Sequence, residues 1–165
     1  MQFGDPLSVS SPSDTQLVIS RAFVAPPHLV YACYTQPSLI RRWLTGPDGW
    51  TMPVCTYDAR AGGGYRFEWH GPDNGFLAVD GAIKTIDAIR YIDAEERFEA
   101  GQMGPPYRSE LEFRLENHGT LVVNSLTYTS MAHRDFVVST GMAEGMESSF
   151  KSLDRLLASE QAATR

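Results

Sequence analysis

The stretch VSTGMAEGMESSFKSLDRLL, residues 138–157, decides how the rest of the chain is interpreted. Its apolar residues recur at steps of three and four, which is the spacing of one apolar face on a helix. They are Val138, Met142, Met146, Phe150, Leu153 and Leu157. The sequence therefore predicts a long helix over residues 138–157, with one face that must be buried against other elements.

Two glycines, Gly141 and Gly145, lie beside this apolar face. A glycine inside a helix costs about 1 kcal/mol relative to alanine, so each needs a reason. Two explanations are open: a sheet backbone or an aromatic ring approaches the helix closely there, or the helix leaves room for a ligand. The neighbouring methionines are compatible with the second explanation, since flexible thioether side chains line adaptable pockets.

Upstream of this helix, the patterns predict one strand, two short helices and a meander of about six strands. Residues 16–24 alternate as a strand that places Arg21 on its apolar face. Prolines at 26, 27 and 37 suit the first turns of two short helices. An antiparallel sheet that follows can bury its apolar face only against the final helix. The expected fold class is therefore α+β, with a flexible arm over residues 1–14, one domain over 15–159 and a tail over 160–165.

The composition limits the choice of partners and compartment. The chain has 165 residues and a net charge of −6, and its basic residues are scattered, so nucleic acid and anionic membranes are poor partners. The start of the chain lacks the pattern of a signal peptide, and no apolar run approaches the ~20 residues of a membrane span. We expect a cytoplasmic protein that is either a monomer or a homodimer.

Glu96 is the best candidate for chemistry, because it shares a strand face with the apolar residues Ile92, Ala94 and Phe98. Burial in an apolar cavity would raise its pKa and leave a carboxyl group able to donate or accept a proton. Such a group can promote enolisation, ring closure or dehydration of a carbonyl compound. The structural alternatives are an ion pair, with Arg21 or Arg60, or an anchor to the backbone.

Asn124 is a second polar residue on the inward face of a predicted strand. It would either orient a ligand oxygen or be satisfied by the backbone. Of the four histidines none belongs to a metal-ligand pattern, and no nucleophile motif occurs, so neither a metal site nor a cofactor is predicted.

The chain resembles the START-like (SRPBCC) superfamily, which has a helix-grip fold, and within it the family of the activator of the heat-shock-protein-ninety ATPase. The likeness covers residues 16–158. It rests on Arg21-x-Phe23-x-Ala25-Pro26, Pro37 with Trp43, Asp58-x-Arg60-x-Gly62-Gly63 with Tyr65, Gly81, Arg90, Glu96-x-Phe98, Gly119-Thr120, Tyr128, Gly141-Met142-x-x-Gly145-Met146 and Leu153.

This resemblance implies a deep cavity between the sheet and the final helix that holds an apolar or aromatic small molecule. The residues expected to line it are Trp43, Tyr65, Phe67, Trp69, Phe98, Phe113, Asn124, Met142, Met146 and Phe150. The leading hypothesis is a ligand-binding protein. The alternatives are a cofactor-independent cyclase or dehydratase that uses Glu96, and a co-chaperone that stimulates a heat-shock ATPase. The third has least support, because the chain is a single domain without an obvious large apolar patch.

Overall fold

The computed structural model describes residues 1–164, which form one antiparallel sheet and four helices. The strands are β1 (Ser8–Ser10), β2 (Gln16–Phe23), β3 (Thr51–Tyr57), β4 (Gly64–His70), β5 (Phe76–Asp87), β6 (Tyr91–Ala100), β7 (Gln102–Met103), β8 (Tyr107–Glu116) and β9 (Gly119–Thr127). The helices are α1 (Pro27–Thr35), α2 (Pro37–Trp43), α3 (Met131–Ser139) and α4 (Met142–Ala163). The strands lie in the order β1-β2-β9-β8-β6-β5-β4-β3, and β7 pairs with β6.

This architecture confirms the predicted helix-grip fold, with α4 packed across one face of an open antiparallel sheet. Phe150 marks the contact: its ring centroid lies 5.5 Å from that of Phe23 on β2 and 6.1 Å from that of Trp43 on α2. The strand periodicity explains which side is buried, because alternate residues such as Tyr65 and Phe67 on β4 are buried while Arg66 between them is not. The apolar stripe of α4 therefore meets a sheet face built from every second residue.

The final helix begins later than predicted. Val138 belongs to α3, where its side chain is 48% exposed, and the chain breaks at Thr140 and Gly141 before α4 begins. Gly141 has a φ of +79°, a left-handed conformation that glycine adopts without steric cost. The prediction of one continuous helix from 138 was therefore wrong, because Gly141 reorients the chain. The remaining stripe, from Met142 onward, lies on α4.

Both ends of the chain are more regular than expected. The segment predicted as a flexible arm contains β1, in which Ser8 pairs with Ser20 and Ser10 pairs with Val18 of β2. The backbone N–H of Leu7 also donates to a carboxylate oxygen of Glu147 on α4, at 2.9 Å. The arm is therefore joined to the sheet, and α4 continues to Ala163, through most of the predicted tail. Within residues 1–164, no helix combines the length and apolar character that crossing a bilayer requires.

Candidate functional site

A cavity of about 550 Å³ lies between α4, the two short helices and the inner face of the sheet. Its walls are mostly aromatic and aliphatic, and its polar groups are few. Strands β2, β3, β4, β5, β6, β8 and β9 all contribute side chains to it, and α4 covers it. The residues with polar side-chain groups on its walls include Arg21, Tyr57, Tyr65, Glu96, Tyr107, Ser109, Asn124, Tyr128 and Ser149.

The polar wall of the cavity is built from one row of residues that runs across the strands. Tyr57 of β3 pairs with Tyr65 of β4, and Tyr65 pairs with Gly81 of β5. Gly81 pairs in turn with Glu96 of β6, which pairs with Tyr107 at the start of β8. Because paired residues point to the same face of a sheet, the row presents three tyrosines and one carboxyl group to the cavity.

Gly81 allows Tyr65 to reach Glu96. The Tyr65 ring lies flat over Gly81, where a Cβ atom would overlap the ring carbons. The side chain therefore crosses the neighbouring strand, and its hydroxyl donates to Glu96 Oε1 at 2.5 Å. Tyr57 stacks on the other side of Tyr65, with a centroid distance of 4.8 Å and an interplanar angle of 8°. A side chain at position 81 would displace this arrangement.

The ionisable carboxyl group of this row is that of Glu96. Burial raises the pKa of its carboxyl group, and the hydroxyls of Tyr65 and Tyr107 oppose that rise through hydrogen bonding to the charged form. The 2.5 Å bond from Tyr65 is the stronger of these on geometric grounds. The carboxyl group lines the cavity, so the part of it that is not covered by protein faces the space a ligand would fill.

Neither structural alternative for Glu96 is present in the described part of the chain. Arg21 pairs with Asp154 at 2.7 Å, and Arg60 pairs with Asp58 at 2.9 Å. Within residues 1–164, Glu96 forms no ion pair and its hydrogen-bond donors are hydroxyl groups rather than backbone N–H. A carboxyl group held by tyrosines, with a raised pKa and an open side, can serve as a proton donor or acceptor.

The tyrosines around Glu96 remain protonated at neutral pH. Burial, with the Glu96 charge as a second cause, raises the pKa of Tyr57, Tyr65 and Tyr107. They therefore act as hydrogen-bond donors and not as bases.

Asn124 of β9 extends the polar wall beyond Glu96. Its Oδ1 accepts a hydrogen bond from Ser109 Oγ at 3.1 Å, so a neighbouring side chain satisfies it and the backbone does not. In this orientation of the amide, its NH₂ group makes no hydrogen bond within residues 1–164 and the side chain lines the cavity.

The aromatic cluster formed by Tyr107, Tyr128 and His133 closes the cavity at this side. The Tyr128 ring lies 5.0 Å from Tyr107 and 5.0 Å from His133, measured between centroids. His133 is held by its own Nδ1, which lies 3.3 Å from the Thr129 hydroxyl, and burial lowers its pKa. The hydroxyl of Tyr128 is buried and has no hydrogen-bond partner within residues 1–164.

Arg21 is the second buried group with an unpartnered atom. Its guanidinium donates to Asp154 and to the carbonyl of Ala22, so a carboxylate and a backbone carbonyl satisfy most of this inward side chain. Its Nε has no partner within the described residues. The Arg21 side chain lines the cavity from β2, where Arg21 pairs with Val122 of β9.

The opening of the cavity lies between the start of α4 and the segment that follows α2. Pro47, Gly141 and Glu144 line the cavity and are also exposed to solvent, which marks the opening. Two hydrogen bonds join its two sides: the Gly46 N–H donates to Ser149 Oγ at 3.1 Å, and Ser148 Oγ donates to the Gly46 carbonyl at 3.5 Å. A Cβ atom at Gly145 would make only an ordinary contact, 3.8 Å from the Pro47 side chain, so close packing does not explain this glycine.

Nine of the ten residues expected to line the cavity do so: Trp43, Tyr65, Phe67, Trp69, Phe98, Asn124, Met142, Met146 and Phe150. Phe113 is the exception, and its predicted place on the cavity wall was wrong. It is 4% exposed and packs against Tyr31 and Tyr34 at centroid distances of 5.4 Å and 5.3 Å. The reason is that this part of β8 lies under α1, whereas α4 covers the cavity.

Three tyrosines of the site were not recognised as site residues from the sequence: Tyr57, Tyr107 and Tyr128. Tyr107 directly follows the prolines at 105 and 106, which favour a loop, and β8 begins at Tyr107 itself. The available signal was parity, since Tyr107 alternates with Ser109, Leu111 and Phe113 on one face of the strand.

The fold and the enclosed cavity together define a START-like protein of the helix-grip type. The chain belongs to the family described as Activator of Hsp90 ATPase homolog 1-like protein, whose sequence profile matches residues 24–158. At the level of the family, this fold supports ligand-binding and cyclase-like domains.

Solved structures of bacterial proteins share the fold over nearly their whole length. A protein from Rhodobacter sphaeroides has 27% identity and a TM-score of 0.86, with 94% of this chain and 99% of the other covered. A protein from Mycobacterium smegmatis has 25% identity and a TM-score of 0.81, with coverages of 92% and 97%. One from Nitrosomonas europaea, at 20% identity, has a TM-score of 0.77 with coverages of 92% and 99%, and shows the fold alone. No curated protein sequence matches this chain significantly.

Proposed function

We propose that the protein binds a mostly apolar, aromatic small molecule in the cavity between the sheet and α4. The cavity itself carries the proposal, since its volume of about 550 Å³ falls in the range of small-molecule sites. Such sites combine apolar walls with a few polar groups that orient the ligand, and here those groups are Glu96 and Asn124.

The affinity expected from apolar burial is modest but measurable. A two-ring aromatic ligand that buries ~200 Å² of apolar surface gains about 5 kcal/mol, at ~25 cal/mol per Å². That free energy corresponds to a dissociation constant of about 0.2 mM, before the polar contacts are considered. Fluorescence titration can measure such a value.

The test uses N-phenyl-1-naphthylamine, a neutral dye whose fluorescence rises in apolar surroundings. The variant is Met146→Trp, which replaces the methionine side chain with a bulkier indole ring at a cavity-lining position on α4. The matched control is Met131→Trp on α3, where the side chain is 52% exposed. We expect wild-type and control to bind the dye and Met146→Trp to bind it at least about tenfold more weakly. Dye binding that is absent in wild-type, or equal in both variants, would contradict the proposal.

A second candidate function is proton transfer to or from a bound carbonyl compound, with Glu96 as the acid or base. It is favoured by one specific observation: a cavity-facing carboxyl group with a raised pKa and no basic partner in the described residues. In an enolisation, the Glu96 carboxylate takes a proton from the carbon next to the carbonyl and later returns one to it. A cyclase or dehydratase would begin with the same step.

Enolisation can be measured as exchange of the methyl protons of 2-acetylnaphthalene in D₂O by ¹H NMR. We expect wild-type to accelerate the exchange, and Glu96→Gln to keep dye affinity while exchange falls by ~100-fold or to the buffer rate. Glu95→Gln is the matched control, because Glu95 is the exposed neighbour on the opposite face of β6. Equal exchange in Glu96→Gln and wild-type rules out the catalytic role and leaves the binding function standing.

A further inference from the structure

The Tyr128 hydroxyl is a buried polar group that the protein itself leaves unpaired. The residue is 4% exposed, lines the cavity, and its hydroxyl has no hydrogen-bond partner within residues 1–164. Buried hydroxyl groups in folded proteins are normally paired, and an unpaired one needs an explanation. The side chain lines the cavity while its hydroxyl oxygen is covered by neighbouring groups, so a ligand atom that enters this wall would supply the missing partner.

The position of Tyr128 relates it to Glu96. It follows directly after β9, and its ring lies beside that of Tyr107, the residue that pairs with Glu96 on the next strand. With ~4.8 Å between neighbouring strands, the backbones of Tyr128 and Glu96 are roughly 10 Å apart. Burial, and secondarily the Glu96 charge, raises the pKa of the Tyr128 hydroxyl. The hydroxyl therefore stays protonated and can donate a hydrogen bond on the same side of the cavity as Glu96.

The ring of Tyr128 is held in place by its neighbours. His133 meets it edge-on at an interplanar angle of 74°, and Tyr107 lies on it at 34°. Because aromatic contacts fix the ring, the hydroxyl is held at a defined position beside the cavity.

We propose that Tyr128 donates a hydrogen bond to an acceptor oxygen of the ligand, so that the cavity selects aromatic carbonyl compounds over hydrocarbons of the same shape. This inference rests on the proposed ligand-binding function and adds the chemical class of the ligand. With the carbonyl oxygen at Tyr128, Glu96 faces the adjacent part of the molecule, where a hydroxyl group or an acidic C–H would lie.

The other candidate donors fit this role less well. Arg21 already has its charge balanced by Asp154, and its unpartnered Nε lies at the level of Val122, six residues from Tyr128 along β9. Asn124 has an NH₂ group without a partner in the described residues, but its side chain is only half-buried, so water satisfies that group when no ligand is bound. Tyr128 alone combines a fully unused hydroxyl, a fixed ring and proximity to Glu96.

The test compares two ligands of matched shape: 2-acetylnaphthalene and 2-isopropenylnaphthalene, in which a CH₂ group replaces the ketone oxygen. Each displaces N-phenyl-1-naphthylamine from wild-type, Tyr128→Phe and the control Tyr31→Phe. Tyr31 packs on Phe113 and does not line the cavity. We expect wild-type to prefer the ketone by about tenfold, Tyr128→Phe to lose most of that preference with hydrocarbon affinity unchanged, and Tyr31→Phe to retain it.

The thermal unfolding temperature of the free protein provides the second readout. Since the protein gives the Tyr128 hydroxyl no partner, Tyr128→Phe should unfold at the same temperature as wild-type or higher. Tyr65→Phe, which loses a hydrogen bond to Glu96, should unfold at a lower temperature. A lower unfolding temperature for Tyr128→Phe would assign the hydroxyl a structural role and overturn the inference.

The outcomes separate the inference from the function on which it rests. A dye that binds wild-type, with ketone and hydrocarbon competing equally, overturns the carbonyl preference and leaves ligand binding intact. Equal loss of both ligands in Tyr128→Phe also overturns it, because the ring and not the hydroxyl would then matter. Failure of wild-type to bind the dye and either ligand overturns both proposals.

Discussion

Gly81→Ala tests the central claim about the site, that Tyr65 reaches Glu96 only because nothing projects from β5 beneath its ring. A Cβ atom at position 81 would overlap the Tyr65 ring, so the ring must move and its 2.5 Å hydrogen bond to Glu96 is lost. Overpacking costs about 1–3 kcal/mol, and a lost hydrogen bond to a charged group costs about 1.5–3 kcal/mol. The expected destabilisation is about 3 kcal/mol, or about 10 °C in Tm for a chain of this size.

The assay is urea unfolding, carried out in the wild-type and Tyr65→Ala backgrounds. Once the ring is gone, the three atoms nearest to a Cβ at position 81 are removed, and alanine there should be neutral or stabilise the protein by about 0.5 kcal/mol relative to glycine. The sign of the effect therefore reverses between backgrounds. An equal cost of Gly81→Ala in both backgrounds, or a cost below about 0.5 kcal/mol in wild-type, would refute the reasoning.

The same substitution should also be visible at Glu96. The Tyr65 hydrogen bond lowers the pKa of this carboxyl group, in opposition to burial, which raises it. Displacement of the ring therefore raises the pKa further, as long as the carboxyl group stays buried. A ¹³C NMR titration of the Glu96 carboxyl carbon in wild-type and Gly81→Ala measures the direction.

Three further outcomes follow from the same geometry. Burial raises the pKa of Glu96 in the folded state, so its contribution to stability is fully present below the unfolded-state pKa and is lost as pH rises through the folded-state pKa. The stability of Glu96→Gln relative to wild-type, measured by urea unfolding, should therefore rise between these two pKa values. Arg21→Met leaves Asp154 without its buried partner and should cost about 2–3 kcal/mol, whereas Arg60→Met breaks an exposed pair and should cost less than about 0.5 kcal/mol, both by urea unfolding. Ser149→Ala removes the shorter of the two hydrogen bonds that join the sides of the opening, and should speed dye association in stopped-flow fluorescence while lowering stability by about 1 kcal/mol.

Arg21 and Tyr128, the two described residues with an unpaired buried donor atom, differ in what they contribute to the stability of the fold. The Arg21 guanidinium is anchored by Asp154 and by a backbone carbonyl, and its position inside the sheet depends on both. The Tyr128 hydroxyl has no hydrogen-bond partner in residues 1–164, so no such bond in this part of the chain stabilises the free protein. A polar group that the fold does not use is the kind of local inconsistency that functional sites carry.

Much of this architecture could be predicted because it depends on local periodicity. Alternation placed Arg21, Glu96 and Asn124 on inward faces, and the three-and-four spacing after Met142 placed α4 against the sheet. These patterns are readable because a strand repeats every two residues and a helix every 3.6, so each residue's face follows from its neighbours along the chain.

The tertiary structure decided what those inward residues meet. The row that brings Tyr65 over Gly81 to Glu96 depends on strand register, and a slip of one residue would place these side chains on opposite faces. The position of Phe113 under α1 and the unpaired hydroxyl of Tyr128 depend in the same way on which elements pack where. The sequence alone determined the fold class and the inward faces; only the packing of residues distant in sequence decided the cavity, because its walls come from strands and helices spread along the whole chain.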